Sequence, residues 1–380
     1  MKKLLCLSAL IVYIFACCPS STTPPTPVAE PPTQPPAVPS EPTDTPMPPP
    51  PAAETAIPTD TPVPPTPTPP PIGMSRSKPF PRTEVVSAPN WDVQVVEVIR
   101  GEGAWQAIQA ANQFNEPAPE GMEYLLVKLH VKSTYADSDE HPISGSDFKA
   151  TGDRLIEYSN ASVVEPDPML DAQLFAGGET EGWSAYLIGQ GEGNLILIVD
   201  ELMSFDENRL RFIALDDGAS IGIAPELGDI KPTDLGKERN SPAPYGEKVI
   251  TEDWEVAIIE VVRGDDAWKL VQEANQFNEP PTEGMEYIAV KMQVRYIGTV
   301  DESVYIDGSY FKSLGSANVL YDWPSVVDPD PALDLTLYPG GRYEGWTVAQ
   351  AAKGETGLIL QFEPLFDLSG KNKRFLSLEK

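Results

Sequence analysis

The clearest pattern along the chain is a two-residue alternation of apolar and polar side chains. In one stretch the alternating apolar positions are Leu125, Val127, Leu129 and Val131. Polar side chains stand between and after them, at Lys128, His130 and Lys132. A period of two is typical of a β-strand with one buried face. Turn-forming glycines and prolines separate further short segments of this kind, so the pattern predicts an all-β sandwich of short strands.

One segment departs from this alternation and has a helical period instead. In residues 104–112 the apolar side chains of Trp105, Ile108 and Ala111 follow one another at intervals of three. Asn115 and the proline that follows supply a stop signal. We therefore predict one short helix inserted among the strands.

The end of this helix carries aromatic and amide side chains that allow two interpretations. Trp105 and Phe114 are expected to be buried against the sandwich, with Asn112 and Asn115 closing the helix end. Alternatively, the same four residues form an aromatic–amide cluster that stacks on a sugar and hydrogen-bonds to it. We expect the packing role.

All of these patterns occur twice. Residues 91–215 align with residues 254–378 at a constant shift of 163, without a gap, and 54 of the 125 aligned positions are identical. The seven residues 111–117 return unchanged as residues 274–280. The chain therefore contains two tandem domains of one fold.

The N-terminus has the features of a secretory signal. Lys2 and Lys3 precede the apolar residues 4–15, which are too few to span a bilayer as a helix. The segment ends at Cys17 and resembles the bacterial lipobox, which implies that Cys17 carries diacylglycerol. Cleavage by ordinary signal peptidase is the alternative. We expect an extracytoplasmic cell-surface protein whose N-terminal lipid attaches it to the membrane.

The segment after the signal is rich in proline. Residues 19–73 contain 23 of the 42 prolines, interleaved with threonine. Proline fixes φ and removes a hydrogen-bond donor, so this segment is expected to be a disordered, extended stalk. The predicted divisions are a signal at 1–16, the stalk at 17–73, a first domain at 74–217, a connector at 218–236 and a second domain at 237–380.

Charge and reactive side chains restrict the function. The net charge of −30 argues against nucleic acid as a partner, because a phosphate backbone demands the opposite sign. The only cysteines are Cys6, Cys17 and Cys18, so neither domain contains a thiol. The only histidines, His130 and His141, are not repeated in the second domain. A duplicated catalytic device is absent from the sequence, and we expect a protein that is not an enzyme.

Two groups of polar residues are candidate sites. An acidic, proline-rich turn occurs in both domains, with carboxylates at Glu165, Asp167, Asp171, Asp328, Asp330 and Asp334. Carboxylate oxygens are calcium ligands, but prolines between aspartates equally suit a rigid surface turn. We expect the turn to be structural and no cofactor to be bound, with calcium as the alternative.

The second group lies in the segment that differs most between the copies, residues 133–142 against 296–305. Its candidate binding residues are Tyr135, Asp137, Asp139 and His141. Loops that vary on a shared sandwich often carry recognition, and unconstrained drift is the alternative. We expect this loop to be independent of the core.

The chain also resembles a known family. The matching features are Trp91-x-Val93, Arg100-Gly101, Asn112-x-Phe114-Asn115, Gly121-Met122-Glu123-Tyr124, Asp147-Phe148 and Gly182-Trp183. They are similar to bacterial immunoglobulin-like domains of unknown function, sometimes labelled telomeric-repeat-binding-factor-like. The second copy departs from them at Tyr310, where the first has Asp147. The resemblance implies two immunoglobulin-like sandwiches on a secreted protein or lipoprotein, with no assigned activity.

These observations predict a non-enzymatic cell-surface lipoprotein. Its two immunoglobulin-like domains are expected to bind an extracellular protein or glycan. The alternative is a structural spacer of the envelope, stiffened by calcium.

Overall fold

The computed structural model describes residues 71–201, 209–365 and 367–380. The predicted signal, the lipidation residue Cys17 and nearly all of the stalk lie outside these ranges. All of the described residues belong to one compact unit.

The elements of the second repeat follow those of the first in the same order. The first repeat contains β1 (Val86–Ser87), β2 (Trp91–Arg100), α1 (Glu102–Ala111), β3 (Met122–Ser133), β4 (His141–Ser144), β5 (Phe148–Thr151), β6 (Ile156–Tyr158), β7 (Asp171–Leu174), β8 (Glu179–Gly189), β9 (Ile196–Val199) and β10 (Arg211–Ala214). The second contains β11 (Val249–Ile250), β12 (Trp254–Arg263), α2 (Asp265–Ala274), β13 (Met285–Tyr296), β14 (Val304–Ile306), β15 (Phe311–Leu314), β16 (Leu320–Tyr321), β17 (Leu335–Leu337), β18 (Arg342–Ala352), β19 (Ile359–Phe362) and β20 (Arg374–Ser377).

Each repeat is a sandwich of two antiparallel sheets. In the first repeat, β1-β2-β3-β8 faces a sheet that contains β10-β9-β5-β6. In the second repeat the corresponding sheets are β11-β12-β13-β18 and β16-β15-β19-β20. Strands β2, β3 and β8 of the first sheet correspond to the A, B and E strands of an immunoglobulin-like sandwich, and β10, β9, β5 and β6 correspond to the G, F, C and C′ strands. The predicted all-β fold with one short helix per repeat is confirmed.

The core forms where the alternation predicts it. The four alternating apolar side chains of β3 are all fully buried, namely Leu125, Val127, Leu129 and Val131. The polar side chains that alternate with them are half-buried, namely Lys128, His130 and Lys132. Trp91 and Phe148 complete this core, and Trp254 and Phe311 take the same places in the second repeat. Each sandwich therefore has its own core, built from equivalent residues.

The helix packs on the outer face of the first sheet through residues that overlap only in part with those predicted. Ala104 and Ile108, four residues apart, are fully buried against Leu126 of β3. The predicted burial of Ile108 is confirmed, whereas Trp105 is only half-buried and Ala111 is exposed, so those two positions of the predicted face are wrong. The small side chain of Ala104 lets the helix lie close to the sheet, which turns the larger Trp105 toward its edge.

A proline-bearing arm precedes each sandwich and runs along its last strand. The backbone N–H of Phe212 donates to the carbonyl of Gly73 at 3.0 Å, and that of Phe80 donates to the carbonyl of Phe212 at 2.8 Å. Phe375 and Gly236 repeat the first of these bonds at 2.7 Å in the second sandwich. The arm is therefore part of each repeat.

The two repeats share one sheet. Strand β17 of the second repeat pairs with β6 of the first, which gives the order β10-β9-β5-β6-β17-β14. In the first repeat, β7 occupies the place of β17 and pairs only with β4 among the described strands. Both strands thus pair with the equivalent neighbour, β4 or β14, and β17 has β6 as a second partner.

Candidate functional site

The loop that follows the helix is fixed by its asparagines. Asn112 Oδ1 accepts a hydrogen bond from the backbone N–H of Phe114 at 3.0 Å. Asn115 Nδ2 donates to the carbonyls of Ile108 and Val164, each at 2.8 Å, and its Oδ1 accepts the N–H of Val164 at 3.0 Å. The predicted role of these asparagines in closing the helix end is confirmed.

The second repeat forms the same loop with the same contacts. Asn278 Nδ2 donates to the carbonyls of Val271 at 2.7 Å and Val327 at 2.9 Å. Asn275 Oδ1 accepts the N–H of Phe277 at 2.9 Å. Two copies of the loop are therefore held in one conformation.

The phenylalanine at the tip of each loop points into solvent. Phe114 is 81% exposed and Phe277 is 82% exposed, so the prediction that Phe114 is buried is wrong. The asparagine hydrogen bonds fix the loop without any contribution from the ring. An exposed ring forgoes about 1.5–3 kcal/mol of burial. Its exposure in both copies makes this ring a candidate contact residue.

A cleft lies beside each of these loops. In the first repeat it has a volume of about 440 Å³, and its lining includes Trp105, Pro117, Met122, Glu123 and Tyr124. The rings of Trp105 and Tyr124 stack at 6.0 Å between centroids, with 17° between their planes. Burial raises the pKa of Tyr124, so its hydroxyl stays protonated and donates to the carbonyl of Glu116 at 3.0 Å.

The second repeat has an equivalent cleft of about 310 Å³. Its lining includes Trp268, Pro280, Met285 and Glu286, which stand at the positions of Trp105, Pro117, Met122 and Glu123. Each repeat thus presents an exposed phenylalanine three residues before the proline that lines its cleft, and the cleft glutamates Glu123 and Glu286 are paired with Arg100 and Arg263. We call this combination the helix-end surface.

The loop and its ring should respond differently to substitution. Asn115→Ala removes three hydrogen bonds, so it should lower the free energy of unfolding by about 1–3 kcal/mol. Phe114→Ala should change it by no more than about 0.5 kcal/mol. Urea unfolding of the two variants measures both values. An equal loss in the two would contradict a purely external role for the ring.

The acidic turns are anchored by some of their own carboxylates. Glu165 accepts hydrogen bonds from Asn160 Nδ2 at 2.8 Å and from the N–H of Ala185 at 2.7 Å. Asp328 accepts the N–H of Val348 at 3.0 Å, and Asp334 accepts the hydroxyl of Tyr305 at 2.7 Å. The remaining three candidates, Asp167, Asp171 and Asp330, are exposed.

These contacts favour the structural interpretation of the turns. Across residues 71–201, 209–365 and 367–380, no three side chains of the His, Cys, Asp or Glu type are grouped so that they could hold a metal ion. Calcium binding by the turns stays a prediction.

The divergent loop of the first repeat contacts the core. Its candidate residues are Tyr135, Asp137, Asp139 and His141. The ring of Tyr135 stacks on His141 at 3.4 Å and meets Trp91 edge-on at 5.4 Å. His141 Nε2 lies 2.8 Å from Asp137 Oδ1. The expected independence of this loop from the core is wrong, because Trp91 is a central core residue. A binding role for the loop stays a prediction.

A charged cleft of about 740 Å³ lies where the repeats meet. Lys149 on its wall lies 2.9 Å from both Glu157 and Asp200, and Arg209 lies 2.7 Å from Asp200. Tyr338 of the second repeat donates its hydroxyl to Glu157 at 3.1 Å. These charges are paired with one another within the first repeat, and the hydroxyl of Tyr338 connects them to the second repeat.

Comparison with known proteins gives distant matches only. No family model and no curated protein matches the chain. Among solved structures, a candidate lipoprotein (ycdA) of Bacillus subtilis is 14% identical over 35% of this chain, with a TM-score of 0.27. This chain covers 38% of that protein. The yjhA protein of Bacillus subtilis is 14% identical over 36% of the chain and 99% of its own length, with a TM-score of 0.26.

A third match is an uncharacterized β-sandwich protein of Clostridium difficile. It is 11% identical over 37% of the chain and 96% of its own length, with a TM-score of 0.24. Similarities this weak carry no conclusion about function. Neither helix in the described ranges has the length and apolarity that a bilayer span requires.

Proposed function

We propose that the protein is a non-enzymatic, lipid-anchored surface protein whose two sandwiches bind an extracellular protein or glycan. The helix-end surface is the proposed contact site in each repeat. The observation that carries the proposal is the exposed phenylalanine, Phe114 and Phe277, held in the same way in both copies.

The chemistry of the helix-end surface suits such a ligand. An exposed aromatic ring contributes large contact area at low entropic cost, which is why aromatic residues are enriched at interfaces. The neighbouring cleft adds the stacked Trp105 and Tyr124 and the carboxylate of Glu123, whose Oε1 is paired with Arg100. An apolar face with nearby hydrogen-bond acceptors fits either a sugar ring or a side chain of a protein partner.

Two equal sites on one chain would act together. A ligand that repeats along a surface can engage both, and the second contact then forms at a high effective concentration. A modest affinity per site is therefore enough for stable attachment.

The alternative is a spacer role, supported by the sheet that runs through both repeats. A shared sheet and paired charges at the junction resist bending between the domains. The two functions differ in whether the helix-end surface has a ligand.

Loss of both rings tests the proposed binding role. We expect the Phe114→Ser/Phe277→Ser variant to lose at least about tenfold in apparent affinity for captured extracellular proteins or arrayed glycans, with each single variant losing less. Leu368→Ser is the matched control, because it removes a fully exposed apolar side chain outside both loops. Circular dichroism checks that all variants fold. Equal binding by the double variant and the control would refute the proposal.

A further inference from the structure

The junction between the repeats is built from a strand pair and a buried arginine. Thr336 and Leu337 of β17 lie opposite Glu157 and Ile156 of β6. The pairing continues beyond the strand, where the N–H of Tyr338 donates to the carbonyl of Leu155 at 2.8 Å. β17 thus supplies one half of the junction and β6 supplies the other.

Arg76, from the arm of the first repeat, belongs to the β6 half. It is fully buried, and its Nε donates to Asp301 Oδ1 at 2.9 Å. Its guanidinium carbon lies 3.7 Å from the ring centroid of Tyr338. Tyr338 is correspondingly buried, so the junction encloses a charge and an aromatic ring together.

Each half of this junction occurs a second time, and among the described strands these copies have no partner on the edge that the junction uses. β7 of the first repeat is the copy of β17, and within the described ranges it pairs only with β4. Phe175 stands at the position of Tyr338 and is 58% exposed. Ser138 replaces Asp301, between the carboxylates of Asp137 and Asp139.

The second repeat carries the copy of the other half. β16 corresponds to β6, and among the described strands it lies at the edge of its sheet. Val319 and Leu320 stand at the positions of Ile156 and Glu157 and are exposed. Arg239 stands at the position of Arg76 and is exposed.

We propose that these two surfaces bind each other between molecules. β7 of one chain pairs with β16 of a second copy, and Phe175 covers Arg239 as Tyr338 covers Arg76. The occupant is a second copy of this chain because the exposed halves copy the two sides of a junction that the chain already forms. The contact is heterologous, so it leaves a free half at each end and extends into a linear assembly. The proposal is independent of the helix-end surface.

The contact between molecules is weaker than the one within the chain. Asn318 replaces Leu155, whose apolar side chain packs with Tyr338 in the internal junction. The internal junction also forms at the high effective concentration of a single chain. Assembly is therefore expected at high concentration, as on a surface that carries many copies.

Self-association of the chain without residues 1–18 tests the proposal. We expect the weight-average molar mass in sedimentation equilibrium to rise by at least half over about 10 μM to 1 mM, a range that reports weak contacts. Phe175→Asp and Val319→Lys should each abolish the rise, since a charge on an exposed edge blocks strand pairing. Phe114→Asp is the matched control and should associate like the unmodified chain.

Mixing the two blocked variants separates this geometry from other modes of association. Phe175→Asp keeps its β16 surface and Val319→Lys keeps its β7 surface. The mixture should therefore form dimers and nothing larger, although neither variant associates alone. A constant monomer mass for the unmodified chain, or association that survives Phe175→Asp, would overturn the proposal.

Discussion

Asp301→Ala is expected to lower the free energy of unfolding by about 3 kcal/mol, because it leaves a buried guanidinium without its counter-ion. Arg76 is fully buried and Asp301 is the carboxylate that pairs with it. The Nη1 of Arg76 has no hydrogen-bond partner in the described part of the chain. No acceptor at that nitrogen therefore offsets the loss of Asp301. The contact with the ring of Tyr338 remains and keeps the loss at the lower end of the range for broken buried pairs.

Urea unfolding followed by tryptophan fluorescence measures this loss. The unmodified chain should unfold in one transition, and Asp301→Ala should separate it into two as the repeats uncouple. Asp322→Ala is the matched control, because Asp322 pairs with Lys312 on the surface, where solvent screens the interaction. An equal shift of the midpoint in both variants would show that Arg76 does not depend on Asp301.

The strands could be predicted because their signal is local. The alternation in β3 and β13 follows from one buried face, and it is visible within a few consecutive residues of either strand. The ungapped duplication also predicts that the chain contains two domains. The helical period predicts the helix and the burial of Ile108 but not the rest of the buried face, since Trp105 and Ala104 compete for the same contact and only the packed structure decides between them.

The junction could not be predicted because its parts are far apart in the sequence. Arg76 and Asp301 are separated by 225 positions, and Arg76 lies in an irregular arm whose sequence is typical of a surface segment. Arg239 has the same local sequence setting but is exposed. The exposure of Phe114 escapes prediction for a related reason, because an aromatic residue after a helix is usually a packing residue.

The acidic turn of the second repeat contains a carboxyl group with an unusual pKa. Burial raises the pKa of Asp328 to about 7, and the nearby carboxylates of Asp334 and Asp307 add to the effect. The N–H of Val348 donates to Asp328 at 3.0 Å, and this hydrogen bond lowers the pKa of the carboxyl group. In the first repeat, burial also raises the pKa of Glu165, which has Asn160 as an additional donor.

Asp328→Asn is therefore expected to stabilise the protein at pH 8 and to leave its stability unchanged at pH 3.5. Folded Asp328 holds its proton up to about pH 7, whereas the unfolded group loses it near its ordinary value of 3.8. Between these two pKa values the folded state binds more protons than the unfolded state. The stability that protonated Asp328 contributes is therefore fully present below about pH 4 and is lost as the pH rises to about 7. About three pKa units correspond to at most about 4 kcal/mol. Asparagine resembles the protonated acid and keeps the acceptor for Val348.

Urea unfolding in EDTA at the two pH values measures the difference, with Glu165→Gln as the control that should gain less. A variant that is destabilised equally at both would show that Asp328 is ionised in the fold.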